Sequence, residues 1–221
     1  MQRKTPFVEG EYYHLYNRGV DKREIFLAGD DYRRFMTLLY LANSSESVRL
    51  DNILRNYAYE DLFALPRGEC LVAVGAFCLM PNHFHLLITP LVRDGVTRYM
   101  LKLQTAYSMY FNIKNDRNGS LFQGTFKSEH ASNDRYLKYL FSYIHLNPVK
   151  LKDPHWKNGV PKKDSLFSFL EQYPYSSLGA YMNNTHTITN PSSFPEYFPS
   201  KKEVWGHIKD WLPLRDDSEQ G

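Results

Sequence analysis

Residues 70–91 read CLVAVGAFCLMPNHFHLLITPL. Two apolar runs flank a Met-Pro-Asn break, and Pro81-Asn82 is turn chemistry, so the stretch predicts two adjacent antiparallel strands joined by a tight turn. Successive side chains on a strand point to opposite faces, which puts His83 and His85 on one face and sends Phe84 into the core. Two imidazoles a strand step apart can share a divalent cation. A single histidine on an apolar strand is more often structural, but this pair opens its strand just after a turn, where a ligand can reach it.

Working outward, EYYHLYNRGV (11–20) alternates and is rich in aromatics, which predicts a strand ending at Gly19. GDDYRRFMTLLYLAN (29–43) has apolar residues at helical spacing behind an acidic start, and DGVTRYMLKLQTAYSMYFN (94–112) carries a helical apolar stripe closed by NDRNG. SLFQGTFKSEHAS (120–132) is compatible with a strand or an ordered loop. Asn133 or Ser132 can cap the helix DRYLKYLFSYIHLN (134–147), and Pro148 ends it. Strand, helix, two strands, helix, strand, helix is the order of an α+β fold, a ferredoxin-like antiparallel sheet with helices on one face. The expected domain spans residues 1–152, with a polar insertion at about 44–69. Residues 153–221 form a C-terminal extension packed on the core, with YPYSSLGAYM as its compact piece and a disordered acidic tail.

The 221 residues suffice for one substantial core. Neither a membrane span nor a signal peptide is legible, so a cytoplasmic protein is expected. Cys70 and Cys78 lie in or beside one apolar run, which suits reduced thiols better than a disulfide framework. Net charge is only +3, but residues 94–152 hold nine basic against four acidic side chains, a surplus of five. That concentration fits a polyanion-binding face and fits a solvated surface equally well.

The helix ending in SYIHLNP supplies what the histidine pair lacks. Tyr143 and Asn147 are four residues apart, hence on one helical face, so a hydroxyl and an amide oxygen can approach the same ion. Two imidazoles and an amide leave positions open for phosphate oxygens, which favours Mg²⁺ or Mn²⁺ over a closed structural zinc site. Arg18, Lys22 and Arg23 after the first strand, and Arg117, Lys127, Arg135 and Lys138 later, are the candidate phosphate contacts of a polyanion-binding face.

MPNHFHLL (80–87) followed by YIHLNP (143–148) resembles the HUH single-tyrosine transposases, in particular the REP-associated tyrosine transposases and their insertion-sequence relatives. YHLYNRGVDKREIF (13–26), YFNIKNDRNGSLFQGTFKS (110–128) and YPYSSLGAY (173–181) fit the same pattern, so the resemblance covers roughly residues 7–182. It implies a metal-dependent endonuclease and strand transferase that cuts single-stranded DNA beside hairpins, such as repetitive palindromes or transposon ends. It also implies that His83 and His85 bind the ion and that Tyr143 forms a 5′-phosphotyrosine intermediate. Asn147 stands where insertion-sequence relatives carry a glutamine ligand; it keeps the amide oxygen with a shorter reach. Relatives work as monomers or as homodimers. Because imidazole ligands must be neutral, activity is expected to fall below about pH 6. Rival readings are an inactive or domesticated hairpin-binding protein, a zinc metallohydrolase of a small substrate, and an RNA-binding ferredoxin-like module. Tyr107, Tyr110, Tyr136 and Tyr139 are expected to pack or stack, His14 to be structural, and His130 and His145 to be auxiliary or surface groups.

Overall fold

A computed structural model describes residues 6–46, 53, 56–158, 163–197 and 200–212. Its chain order is β1 (Tyr13–Arg18), α1 (Gly29–Leu41), β2 (Val72–Met80), β3 (His83–Pro90), α2 (Gly95–Lys114), β4 (Lys127–His130) and α3 (Asp134–Leu146). These are followed by α4 (Lys163–Gln172), α5 (Leu178–Asn183) and α6 (Lys201–Asp210). The four strands form one antiparallel sheet in the order β2-β3-β1-β4. With α1 and α2 as its two crossovers, this is the expected ferredoxin-like arrangement. Part of the 44–69 insertion and the acidic tail fall outside the described residues. Among the described residues no helix is long and apolar enough to cross a membrane.

Alternation along the strands sorts the interior into two layers. Leu15, Phe84, Leu86 and Ile88 pack with Phe35, Leu38, Tyr99 and Tyr107 of α1 and α2. Phe84 is fully buried, edge-on to Phe122 at 5.8 Å and against Phe35 at 5.1 Å, as its place between the histidines requires. The opposite face is not open to solvent: Cys78, Met80 and Leu87 pack there against Leu140 and Ile144 of α3 and against Leu170, Leu178 and Ile208 of the extension. The α1/α2 layer thus occupies one face, and the sheet becomes a middle layer because the amphipathic α3 and the extension need the other. Cys78 is buried and unbridged, and Cys70 is also a free thiol.

The extension also seals the outer edge of β2. Leu79 N–H donates to the Tyr175 carbonyl at 2.9 Å, Phe77 N–H to Ser177 Oγ at 2.9 Å, and Ser177 N–H to the Phe77 carbonyl at 3.0 Å. An edge of unpaired backbone groups is a template for unwanted pairing, and covering it removes that hazard. At Gly75 the β2–β3 register shifts by one residue, and the Phe194 ring sits in the space a side chain would need. The shift explains how Val74 and Phe77 can face the same layer.

The loop after β1 wraps the β2–β3 turn. Gly19 N–H donates to the Asn82 carbonyl at 2.9 Å, and the N–H groups of Ile25 and Phe26 converge on the Pro81 carbonyl at 2.8 and 3.1 Å. A Cβ at Gly19 would run into the Arg23 carbonyl and Ile25. Gly19→Ala should therefore cost about 1–3 kcal/mol through forced displacement, whereas Gly179→Ala, with open space around it, should be neutral or slightly stabilising. Urea unfolding of the two variants checks this; equal stabilities would refute the packing argument.

Candidate functional site

The turn that starts β3 also orients its first histidine. Asp21 and Lys22 adopt left-handed backbone conformations at φ 55° and 59°. The Lys22 carbonyl accepts from Asn82 Nδ2 at 3.1 Å. That bond sets the amide orientation, so Asn82 Oδ1 faces His83 Nδ1 at 2.6 Å and must accept a proton from it. His83 Nε2 is then the ring nitrogen with a free lone pair. Burial, with Lys150 and Arg18 nearby, lowers the His83 pKa to about 4.

His85 is 6% exposed, and its Nδ1 lies 2.9 Å from Nε2 of His14, which is 4% exposed. His14 Nδ1 in turn lies 3.8 Å from a Glu129 oxygen, beyond a hydrogen bond but close enough for electrostatic attraction. His85 Nε2 is buried without a hydrogen-bond partner. Burial, with His14, His83 and Lys150 adding positive potential, holds His85 neutral well below its ordinary range. The two rings are 5.0 Å apart between centroids. Each has its Nδ1 engaged and its Nε2 unbound in this structure, the condition in which histidines ligate a metal. The donor set therefore fits a divalent ion. The zinc-hydrolase reading asks for further acidic, histidine or cysteine ligands, and among the described residues no group of three or more such side chains is arranged to hold a metal.

Helix α3 lies over this face. Asn133 caps it, its side chain accepting from Tyr136 N–H at 2.9 Å, which resolves the Asn133/Ser132 alternative. Tyr136, Tyr139 and Tyr143 form a ladder of near-parallel rings with centroids 5.9 and 5.7 Å apart. The last ring stands edge-on to His85 at 5.6 Å and to His14 at 6.0 Å. Burial raises the Tyr143 pKa, Tyr139 and Glu129 add to it, and Asn147 opposes it, so the resting group is a neutral phenol. Asn147 is fully buried; its amide donates to the Tyr143 carbonyl and its oxygen accepts from Lys150 Nζ, both at 2.8 Å. The Lys150 ammonium also lies 5.7 Å from the centre of the Tyr143 ring.

The structure thus brings His83, His85 and Tyr143 together, with Asn147 at the end of the same helix. Four neighbours were not assigned to the site from the sequence: His14, Glu129, Asn82 and Lys150. The alternation of YHLYNR put His14 and Tyr16 on one face, but only the strand order shows that this is the face of the histidine pair. Arg18 pairs across from His83, and Lys127 across from Tyr16, so both border the site. Lys22 and Arg23 lie in the loop around the turn, and Arg135 is exposed on the first turn of α3. Lys138 lies over the Tyr197 ring at 4.6 Å, and Arg117 is bonded to Asn112 of the layer behind the sheet. His145 is neither surface nor auxiliary; it is fully buried and bonded to Ser177 at 2.7 Å, away from the pair. Tyr107, also fully buried, bonds the Ile25 carbonyl as a packing residue.

Residues 40–147 match the family model described as Transposase IS200 like. A solved structure of a REP-associated tyrosine transposase bound to a REP hairpin aligns with a TM-score of 0.49 and 14% identity, covering 88% of this chain and 95% of that one. No curated protein matches the chain.

Burial makes the site acid-sensitive in a defined direction. His14 is lowered to about 4, largely by desolvation against the pull of Glu129, and His145 to about 3, again by burial. An unfolded imidazole protonates near 6.5, so between about 6.5 and 4 the unfolded chain binds more protons and stability falls as pH falls. The metal-free protein should therefore hold a constant melting temperature above about pH 7 and lose it progressively from about pH 6.5 towards 4. A melting temperature unchanged down to pH 4.5 would refute the buried neutral imidazoles. The same lowering moves the expected loss of ion binding from pH 6 towards pH 4 for His83.

Proposed function

We propose that the chain, whose residues 40–147 match the IS200-like transposase family model, is a divalent-metal-dependent endonuclease and strand transferase acting on single-stranded DNA beside hairpins. The observation that carries the reading is the juxtaposition of the Tyr143 ring with His85, 5.6 Å apart, on a face where the Nε2 atoms of His83 and His85 are unbound. His83 and His85 are the ligands. Asn147, whose oxygen is held by Lys150 in this structure, is the third candidate. A divalent ion, Mg²⁺ or Mn²⁺, would supply Lewis-acid polarisation of the scissile phosphate.

The chain's own residues carry the rest. Tyr143 Oη attacks phosphorus and loses its proton; the 3′ oxygen leaves and is protonated, so the products are a 5′-phosphotyrosine and a free 3′ hydroxyl. One ester replaces another, so attack by a 3′ hydroxyl can reverse the step without ATP. The raised pKa of Tyr143 means that its proton must be drawn off as the bond forms. The ammonium of Lys150, held beside the ring by Asn147, is placed to offset the negative charge that develops. Arg18 and Lys127, bordering the pair, suit the incoming backbone phosphates, and the exposed Lys22 and Arg135 extend that surface.

Incubation with labelled hairpin single strands from DNA flanking the gene, with Mg²⁺ or Mn²⁺, tests the proposal. Wild type should give an adduct that survives SDS. Tyr143→Phe should give none yet bind the hairpin with little change, because only the attacking oxygen is lost, and His83→Ala should lose the metal response. Tight binding with no adduct in wild type would replace the nuclease by a hairpin-binding protein that does not cut.

A further inference from the structure

We propose that Glu129 and His14 are positioning residues: the carboxylate keeps the His14 proton on Nδ1, His14 Nε2 thereby accepts from His85 Nδ1, and His85 Nε2 is presented unprotonated to a divalent cation. The inference rests on the reading of His83 and His85 as ligands. Sheet register assembles the relay. Glu129 lies directly across from His14 on β4, and His85 lies across from Tyr16 on β3, one diagonal step from His14. The distances are 3.8 Å from Glu129 to His14 and 2.9 Å from His14 to His85.

Two penalties oppose the reversed arrangement of protons. It would turn the His14 Nδ1 lone pair towards a carboxylate 3.8 Å away, and it would put a proton on His85 Nε2, a buried atom with neither acceptor nor carboxylate beside it, whereas a proton on His14 Nδ1, also without a hydrogen bond, faces the Glu129 charge. An unpaired buried donor is among the costliest groups in a folded protein. The carboxylate itself is fixed, because Tyr16 donates to one oxygen at 2.9 Å and Tyr136 to the other at 3.0 Å. Burial pushes the Glu129 carboxyl up, but these hydroxyls and His14 outweigh it and hold the group below its usual range. Tyr136 lies two helical turns before Tyr143 on α3. One carboxylate therefore both orders the imidazoles and ties the tyrosine helix to the sheet.

The test titrates full-length wild type, His14→Phe, His14→Gln and Glu129→Ala with Mn²⁺ alone, without DNA, following the electron paramagnetic resonance of free Mn²⁺. The protonated nitrogen of His85 in wild type is read separately by long-range proton–nitrogen correlation at pH 7. His14→Phe and Glu129→Ala should each weaken Mn²⁺ binding by about 10–100-fold. His14→Gln should stay near wild type, since its amide oxygen can reach the position of Nε2 and accept the same proton. Wild-type His85 should carry its proton on Nδ1. Unchanged Mn²⁺ affinity in His14→Phe, or a wild-type His85 protonated on Nε2, would overturn the relay. Should His14→Phe lose its fold by circular dichroism, Glu129→Ala and the wild-type tautomer decide. A wild type that takes up no Mn²⁺ would sink the metal reading, and the tautomer would then judge the relay by itself.

Discussion

Two imidazoles on alternate positions of one strand, His85 buried and His83 half-buried, have little access to water, so their ring nitrogens call for partners from the protein or from a ligand. The rest of the site follows from that constraint. Asn82 Oδ1 accepts from His83 Nδ1, and His14 Nε2 lies 2.9 Å from His85 Nδ1. Asn82 is held by the carbonyl of Lys22, one of two loop residues with left-handed backbone. The β1–β4 register sets Glu129 across from His14. Buried polar groups of this kind are costly when half satisfied and rigidifying when complete. What remains unbound is a pair of Nε2 lone pairs on the face covered by α3.

The tyrosine is carried to that face by the packing of its helix. Leu137, Leu140 and Ile144 seat α3 on the sheet, and the extension closes over it with Leu170, Leu178 and Ile208. The stacked rings of Tyr136 and Tyr139 limit the positions open to Tyr143. The turn that follows α3 contributes as well, since Asn147 binds back to the Tyr143 carbonyl and anchors Lys150. Pro148, expected to end the helix, stands near the start of a short 3-10 turn, Asn147–Leu151, that places Lys150 beside the aromatic ring.

Much of this was legible in particular residues. The Met-Pro-Asn break between apolar runs marked β2 and β3, and the His-Phe-His alternation separated ligand candidates from a core phenylalanine. The four-residue spacing put Tyr143 and Asn147 on one face. The auxiliary residues were hidden because a strand's alternation says which side chains share a face, not which neighbouring strand supplies that face. His14 and Glu129 are 115 residues apart in the chain and meet only because β1 lies between β3 and β4. His145 misled for the opposite reason: its sequence is polar enough for a surface, yet Ser177 of the extension buries it. Packing of the C-terminal extension on the core was expected, but not that it would cover the second sheet face with Leu170, Leu178 and Ile208, because its sequence lacks strong periodicity.

The central claim is that Tyr143, among the 17 tyrosines of the chain, is the side chain delivered to the histidine pair. Protease digestion of the SDS-stable DNA adduct, followed by mass spectrometry of the nucleotide-bearing peptide, tests this most directly. The account predicts a 5′-phosphate ester on Tyr143 alone; an ester on Tyr139, Tyr136 or any other side chain would contradict it.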